Sequence, residues 1–156
     1  MASASAKGSS VINAGSATIT ADYKHSLGMY ASGMSKVYNR GSIQINGDES
    51  AAIYVGGNSQ EVLNDEGGNI SIGSNSNDGE ISTGYGIFAN SGSTAVITNK
   101  GTIDVYTKND ASTNQGGGIW LEGNAKADNQ GTINLYKNNA YGMYAGDETP
   151  NTASLT

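Results

Sequence analysis

The residues of this chain that could do chemistry are one histidine, His25, and four close pairs of acids. The pairs are Asp48 with Glu49, Asp65 with Glu66, Asp78 with Glu80, and Asp147 with Glu148. Two carboxylates held at a set separation can hydrolyse a glycosidic bond. Clustered carboxylate oxygens can also hold Ca²⁺. All four pairs lie in loop-like stretches, and none recurs in register as a metal array would. The GGxGxD calcium repeat is absent. A lone histidine needs a nucleophile and an acid fixed beside it, and nothing near His25 supplies both. The short GxG fragments do not open a helix, which dinucleotide and phosphate sites require. The expectation is therefore no catalytic residue, no metal and no cofactor: a protein that is not an enzyme.

A second set of residues carries binding potential. Tyr30, Tyr54, Phe88, Trp120 and Tyr144 each follow an aliphatic residue in one recurring phrase. It reads GMYA from Gly28, AIYV from Ala52, GIFA from Gly86, GIWL from Gly118 and GMYA from Gly142. The set includes the chain's single Trp and single Phe. Side chains alternate along a strand, so with Met29 and Ala31, or Ile53 and Val55, turned inward, the rings face outward. The preceding glycine is then expected outside as well, leaving a shallow groove beside each ring. Such a stripe either reinforces stacking or binds sugar rings or a partner protein. Trp120 is the residue expected to matter first. Two polar insertions, residues 73–82 and 107–117, are the other candidate binding segments.

A second phrase alternates with the aromatic one. It is VINAG from Val11, VYNRG from Val37, VLNDEGG from Val62, ITNKG from Ile97 and ADNQG from Ala127. Its asparagines, Asn13, Asn39, Asn64, Asn99 and Asn129, are expected to form a ladder of stacked, hydrogen-bonded amides. Gly15, Gly41, Gly101 and Gly131 are expected to turn the corner with positive φ.

The elements that must position these columns follow from the spacing. From Ile19 to Met29, Ile43 to Ile53 and Ile133 to Met143 the step is 10 residues. The shortest full period is 24, and longer units carry Gly/Asn/Ser-rich insertions. Three short β segments per period of this length describe a parallel β-helix. In the second unit the segments are SKVYN, GSIQI and AAIYV, with Val37, Ile43, Ile45, Ile53 and Val55 inside. Five coils at a strand spacing of ~4.8 Å make a rod about 24 Å long.

Composition agrees. Glycine is 23 of 156 residues, proline occurs once and only 14% of residues are charged, which suits turn-rich β structure better than disorder. The net charge of -6 argues against nucleic acid and anionic lipid, which need clustered Lys and Arg. No cysteine is present, so disulfides and Cys-based zinc sites are excluded. No apolar run approaches the ~20 residues of a membrane span, and no signal peptide is visible. The organisation expected is an appended or disordered lead over 1–10, a β-helix over 11–146, and a tail or the start of another coil over 147–156.

The phrases NKGTIDV, NQGTINL and YGMYA resemble the passenger repeats of type V autotransporters, particularly the large adhesins of fusobacteria. The likeness covers residues 11–146. It implies an all-β, right-handed parallel β-helix of about five coils, exposed on the cell surface and anchored through an outer-membrane β-barrel outside this chain. It implies an adhesive role toward a host or bacterial cell-surface protein or glycan, without membrane contact by this segment. It maps no catalytic residue onto the chain. Two alternatives remain open: a polysaccharide-binding or polysaccharide-degrading β-helix, as in lyases and tailspikes, and a homotypic self-association module.

Overall fold

The computed structural model describes residues 1–4, 8–58, 61–75, 81–108, 116–136, 140–146 and 154–156. Every element in them is a β-strand. After β1 (Ala2–Ala4), the chain winds through five coils of three strands each. The first is β2 (Ser10–Asn13), β3 (Thr18–Ala21) and β4 (Leu27–Ala31), and the second β5 (Lys36–Asn39), β6 (Ser42–Ile45) and β7 (Ser50–Val55). The third is β8 (Glu61–Asn64), β9 (Asn69–Ile72) and β10 (Gly84–Ala89), and the fourth β11 (Val96–Asn99), β12 (Thr102–Val105) and β13 (Gly116–Leu121). The fifth is β14 (Lys126–Asn129), β15 (Thr132–Leu135) and β16 (Ala140–Ala145), followed by β17 (Ser154–Leu155).

Strands one coil apart pair in parallel and build three sheets. Sheet A runs β1-β4-β7-β10-β13-β16, sheet B β2-β5-β8-β11-β14-β17, and sheet C β3-β6-β9-β12-β15. The fold is a parallel β-helix. Parts of the lead and tail belong to it: β1 pairs with β4, and β17 with β14.

The reason is the inward file of aliphatic side chains. Ile19, Ile43, Ile70, Ile103 and Ile133 stand in one register column of sheet C. Val11, Val37, Val62, Ile97 and Ala127 do the same in sheet B. In the middle coils these side chains are essentially inaccessible to solvent. β-Branched residues suit such a stack because their restricted χ1 packs well on a pleated surface.

The corner glycines work differently from the sequence expectation. None of Gly15, Gly41, Gly101 and Gly131 has positive φ. Their role is close approach instead. A Cβ on Gly41 would lie 2.3 Å from the carbonyl oxygens of Ala14 and Ala17, one on Gly101 2.1 Å from that of Gly68, and one on Gly131 2.2 Å from that of Gly101. The true column is Ala17, Gly41, Gly68, Gly101 and Gly131; the carbonyls of the first four accept the N–H of Ser42, Asn69, Thr102 and Thr132, the residue that follows the column in the next coil. Gly15 stands apart, with only the Arg40 carbonyl oxygen at 3.5 Å.

Sheet A also departs from strict alternation. Leu27 pairs with Ala51 and Met29 with Ile53, while the position between them is skipped, and the same skip recurs in every later coil. Gly28, Gly86 and Gly118 face inward: an added Cβ would approach Cγ2 of Ile43, Ile103 and Ile133 at 2.8, 2.7 and 2.6 Å. Ala52, in the same column, is fully buried. Two successive residues therefore turn toward the core, and the groove glycine expected outside lies inside.

Both long insertions leave from the corner between sheets C and A. Residues 76–80 and 109–115 lie outside the described residues, so these candidate binding segments are placed only at their bases. There Ile81 pairs with Thr107 in a parallel bridge, and Ile81 is buried.

Candidate functional site

Polar side chains inside the helix are held by one another. Nδ2 of Asn13 donates to Oδ1 of Asn39 at 2.8 Å, and Asn39 to Asn64, Asn64 to Asn99 and Asn99 to Asn129 each at 2.7 Å. The second amide proton goes to a corner carbonyl: Asn13 to Ser42 at 3.1 Å, Asn64 to Gly68 at 3.3 Å. Asn39, Asn64 and Asn99 are completely buried. A buried amide is costly unless bonded, and here each amide satisfies the next. The ladder therefore joins the five coils from the inside.

The outward face of sheet A carries the aromatic file. Tyr30, Tyr54, Phe88, Trp120 and Tyr144 occupy one register column. Tyr30 and Tyr54 stack at 5.7 Å between centroids with planes 23° apart, and Tyr54 and Phe88 at 5.4 Å and 25°. Trp120 and Tyr144 stack at 3.9 Å and 25°. Between these groups stands Tyr85, whose ring is 5.0 Å from Phe88 and 5.3 Å from Trp120. Tyr141 packs 5.9 Å from Trp120 and 5.4 Å from Tyr144.

Tyr85 and Tyr141 were not singled out from the sequence, and the skipped position explains why. They stand three residues before Phe88 and Tyr144. Strict alternation puts residues three apart on opposite faces. The two successive inward residues return them to the same face. A second outward column therefore runs Leu27, Ala51, Tyr85, Gly117, Tyr141 beside the rings. The signal available in the sequence was the repeated Tyr-Gly at 85–86 and 141–142.

This second column has two gaps, at Ala51 and Gly117. The indole of Trp120 fills the one at Gly117, touching Tyr85 and Tyr141 edge-on, and only 8% of Trp120 is exposed. The indole expected to stand foremost on the outward face is thus packed among its neighbouring rings. The gap at Ala51 stays open as a cleft of about 210 Å³ lined by Leu27, Glu49, Ser50, Ala51, Tyr54, Tyr85 and Phe88. Burial pushes the Tyr85 phenol pKa above its ordinary value, and the charge of Glu122 adds to this.

Of the carboxylates singled out for chemistry, Asp48, Glu49 and Asp65 tie one coil to another. Glu49 pairs with Lys24 at 2.6 Å and with His25 at 3.3 Å. The Asp48 carboxylate accepts the Ser82 N–H. Asp65 takes the Glu66 N–H and the Arg40 guanidinium, and both hold its pKa below the usual value. Glu61 bonds Lys36 at 3.0 Å and the Tyr38 hydroxyl at 3.0 Å, and Lys36 holds its pKa down. His25 and Glu49 both adopt positive φ, at 59° and 54°. Asp78, Glu80, Asp147 and Glu148 lie outside the described residues. Among the described residues no group of three or more His, Cys, Asp or Glu is placed to hold a metal ion.

A three-sheet solenoid with an amide ladder inside and an aromatic file outside defines a β-helical repeat segment of the pectate lyase-like class. Residues 1–152 match the family described as BigA third pectate lyase-like domain, and the chain belongs to that family. BigA is an autotransporter-type surface protein, so the match is consistent with a passenger-like region. No curated protein and no solved structure matched the chain.

Proposed function

We propose that this chain is an adhesive stem, a β-helical segment of a surface-exposed autotransporter passenger that presents the outer face of sheet A to a partner on a host or bacterial cell. The carrying observation is the file of rings on that face, with an open cleft beside it at Ala51. Large outward aromatic surface beside polar groups is what recognition faces use. The role proposed is non-catalytic: Asp48, Glu49 and Asp65 are engaged in ion pairs and backbone bonds that join one coil to the next. Anchoring would come from an outer-membrane β-barrel outside this chain.

The test is adhesion of beads coated with the purified chain to epithelial and bacterial cells. Tyr54→Ala and Tyr85→Ala are expected to reduce capture, while Tyr23→Ala, at an 83% exposed corner residue, leaves it unchanged. Equal capture by all three variants, or no capture by the parent, would defeat the reading.

A further inference from the structure

The two gaps in the second outward column differ in one respect. At Gly117 the chain supplies its own flat body, the Trp120 indole, held between Tyr85 and Tyr141. At Ala51 the equivalent column member is Tyr54, which stacks between Tyr30 and Phe88 and leaves the gap empty. The open cleft thus has the walls of a ring-binding slot, with Leu27 at one end, Tyr85 at the other, and Tyr54 and Phe88 alongside. Its volume of about 210 Å³ is below the ~300 Å³ at which drug-sized pockets begin, so it suits a single ring.

The rim decides what kind of ring. Glu49 lines the cleft, and about half of its side chain is exposed. A carboxylate offers roughly four lone-pair sites, more than Lys24 and His25 use. An apolar floor with an acceptor at the edge fits a body that has a C–H face and hydroxyl donors around its rim. We infer that the Ala51 cleft binds one pyranose ring of a neutral glycan, packed against Tyr85 and the edge of Tyr54 and donating a hydroxyl to Glu49. A uronate would bring its own carboxylate toward Glu49 on a chain of net charge -6, so acidic polysaccharides are disfavoured. The inference rests on the adhesive reading and names the partner's chemistry.

The experiment is saturation-transfer NMR on the intact chain. The probes are methyl glucopyranoside, methyl galactopyranoside, N-acetylglucosamine, an oligogalacturonate, and a short peptide carrying Trp. Transfer to the C–H protons of a neutral sugar is expected. Glu49→Gln should weaken that binding about tenfold, the loss of one charge-assisted hydrogen bond. Ala51→Phe, which supplies the missing plug, should abolish it. Glu49 is a solvent-facing corner residue, so its variant keeps the comparison valid if Ala51→Phe misfolds. No transfer to any neutral sugar, transfer unaffected by Glu49→Gln, or binding of the peptide or the uronate alone would overturn the inference. Bead adhesion that survives periodate oxidation of the cells' glycans would also overturn it while leaving the adhesive reading intact. Sugar binding without adhesion would do the reverse.

Discussion

Asn64 stands in the middle of a file of amides, donating to Asn99 and accepting from Asn39. Asn64→Ala deletes both bonds and strands a donor on one side and an acceptor on the other, each fully buried. At ~1–3 kcal/mol per orphaned group, the loss is expected at about 3 kcal/mol or more. Asn13→Ala strands one buried acceptor, Oδ1 of Asn39, and releases the Ser42 carbonyl at the first coil, and should cost less, about 1–2 kcal/mol. Chemical denaturation of the two variants checks the difference; equal losses would mean that the ladder is not cooperative along the axis. The glycine column gives a sharper contrast. At Gly101 a Cβ would sit 2.1 Å from a backbone carbonyl oxygen, which moves only if the strand ladder moves with it. Gly101→Ala should therefore lower stability by ~3 kcal/mol or more, the upper end of overpacking. Gly15→Ala, with its nearest neighbour at 3.5 Å, should be within ~0.5 kcal/mol of the parent. If both alanines behaved alike, close approach to the neighbouring carbonyl would not be what demands glycine at this corner.

At the scale of elements, sheet A and the ties between coils make separate predictions. Trp120 fills the gap over Gly117 and stacks on Tyr144 at 3.9 Å, so Trp120→Ala leaves a cavity at a position already closed to solvent. A loss of ~3–5 kcal/mol is expected, together with loss of the near-ultraviolet dichroism of the packed rings. Retained stability would place the indole in solvent. The coil-to-coil ion pairs act through pH. Glu61 has its pKa lowered from 4.5 by Lys36 and the Tyr38 hydroxyl, and Asp65 from 3.8 by the Glu66 N–H and Arg40. A group with a depressed folded pKa contributes stability above its unfolded value and loses it as pH falls through the folded value. Thermal unfolding midpoints should thus drop on acidification below about pH 4.5, and Glu61→Gln should flatten part of that slope. These are exposed pairs, so the effect is small and shrinks in salt. A midpoint that rises on acidification would show that relief of the net negative charge outweighs the ties.

Over the whole molecule, the winding was legible because one period imposes the same demand on every coil. Ile43, Ile70 and Ile103 recur where an inward aliphatic must recur, and Asn39, Asn64 and Asn99 where a buried amide must find the next. The aromatic column was legible for the same reason. The side that each neighbour faces was not, because Gly28 and Met29 break alternation through a backbone irregularity that residue types do not announce. Tyr85, the inward glycines and the Trp120 plug all follow from that one irregularity. A solenoid of this kind is stabilised mainly by contacts between adjacent coils, and burial follows that logic. Ile43, Ile70 and Ile103 are almost wholly inaccessible, whereas Ile19, Ile133 and Met143 in the first and fifth coils are only partly covered. Native-state hydrogen exchange should therefore grade along the axis, with amides of β6, β9 and β12 opening only with global unfolding and those of β3 and β15 opening at lower free energy. Nearest-neighbour coupling adds a sharper demand. Gly101→Ala disturbs the corner between coils three and four, so it should depress protection in β9, β12 and β15 while leaving β2 and β5 nearly as in the parent. Uniform protection along the rod, or a uniform loss in the variant, would make the chain one cooperative block and remove the premise that each coil is held chiefly by its neighbours.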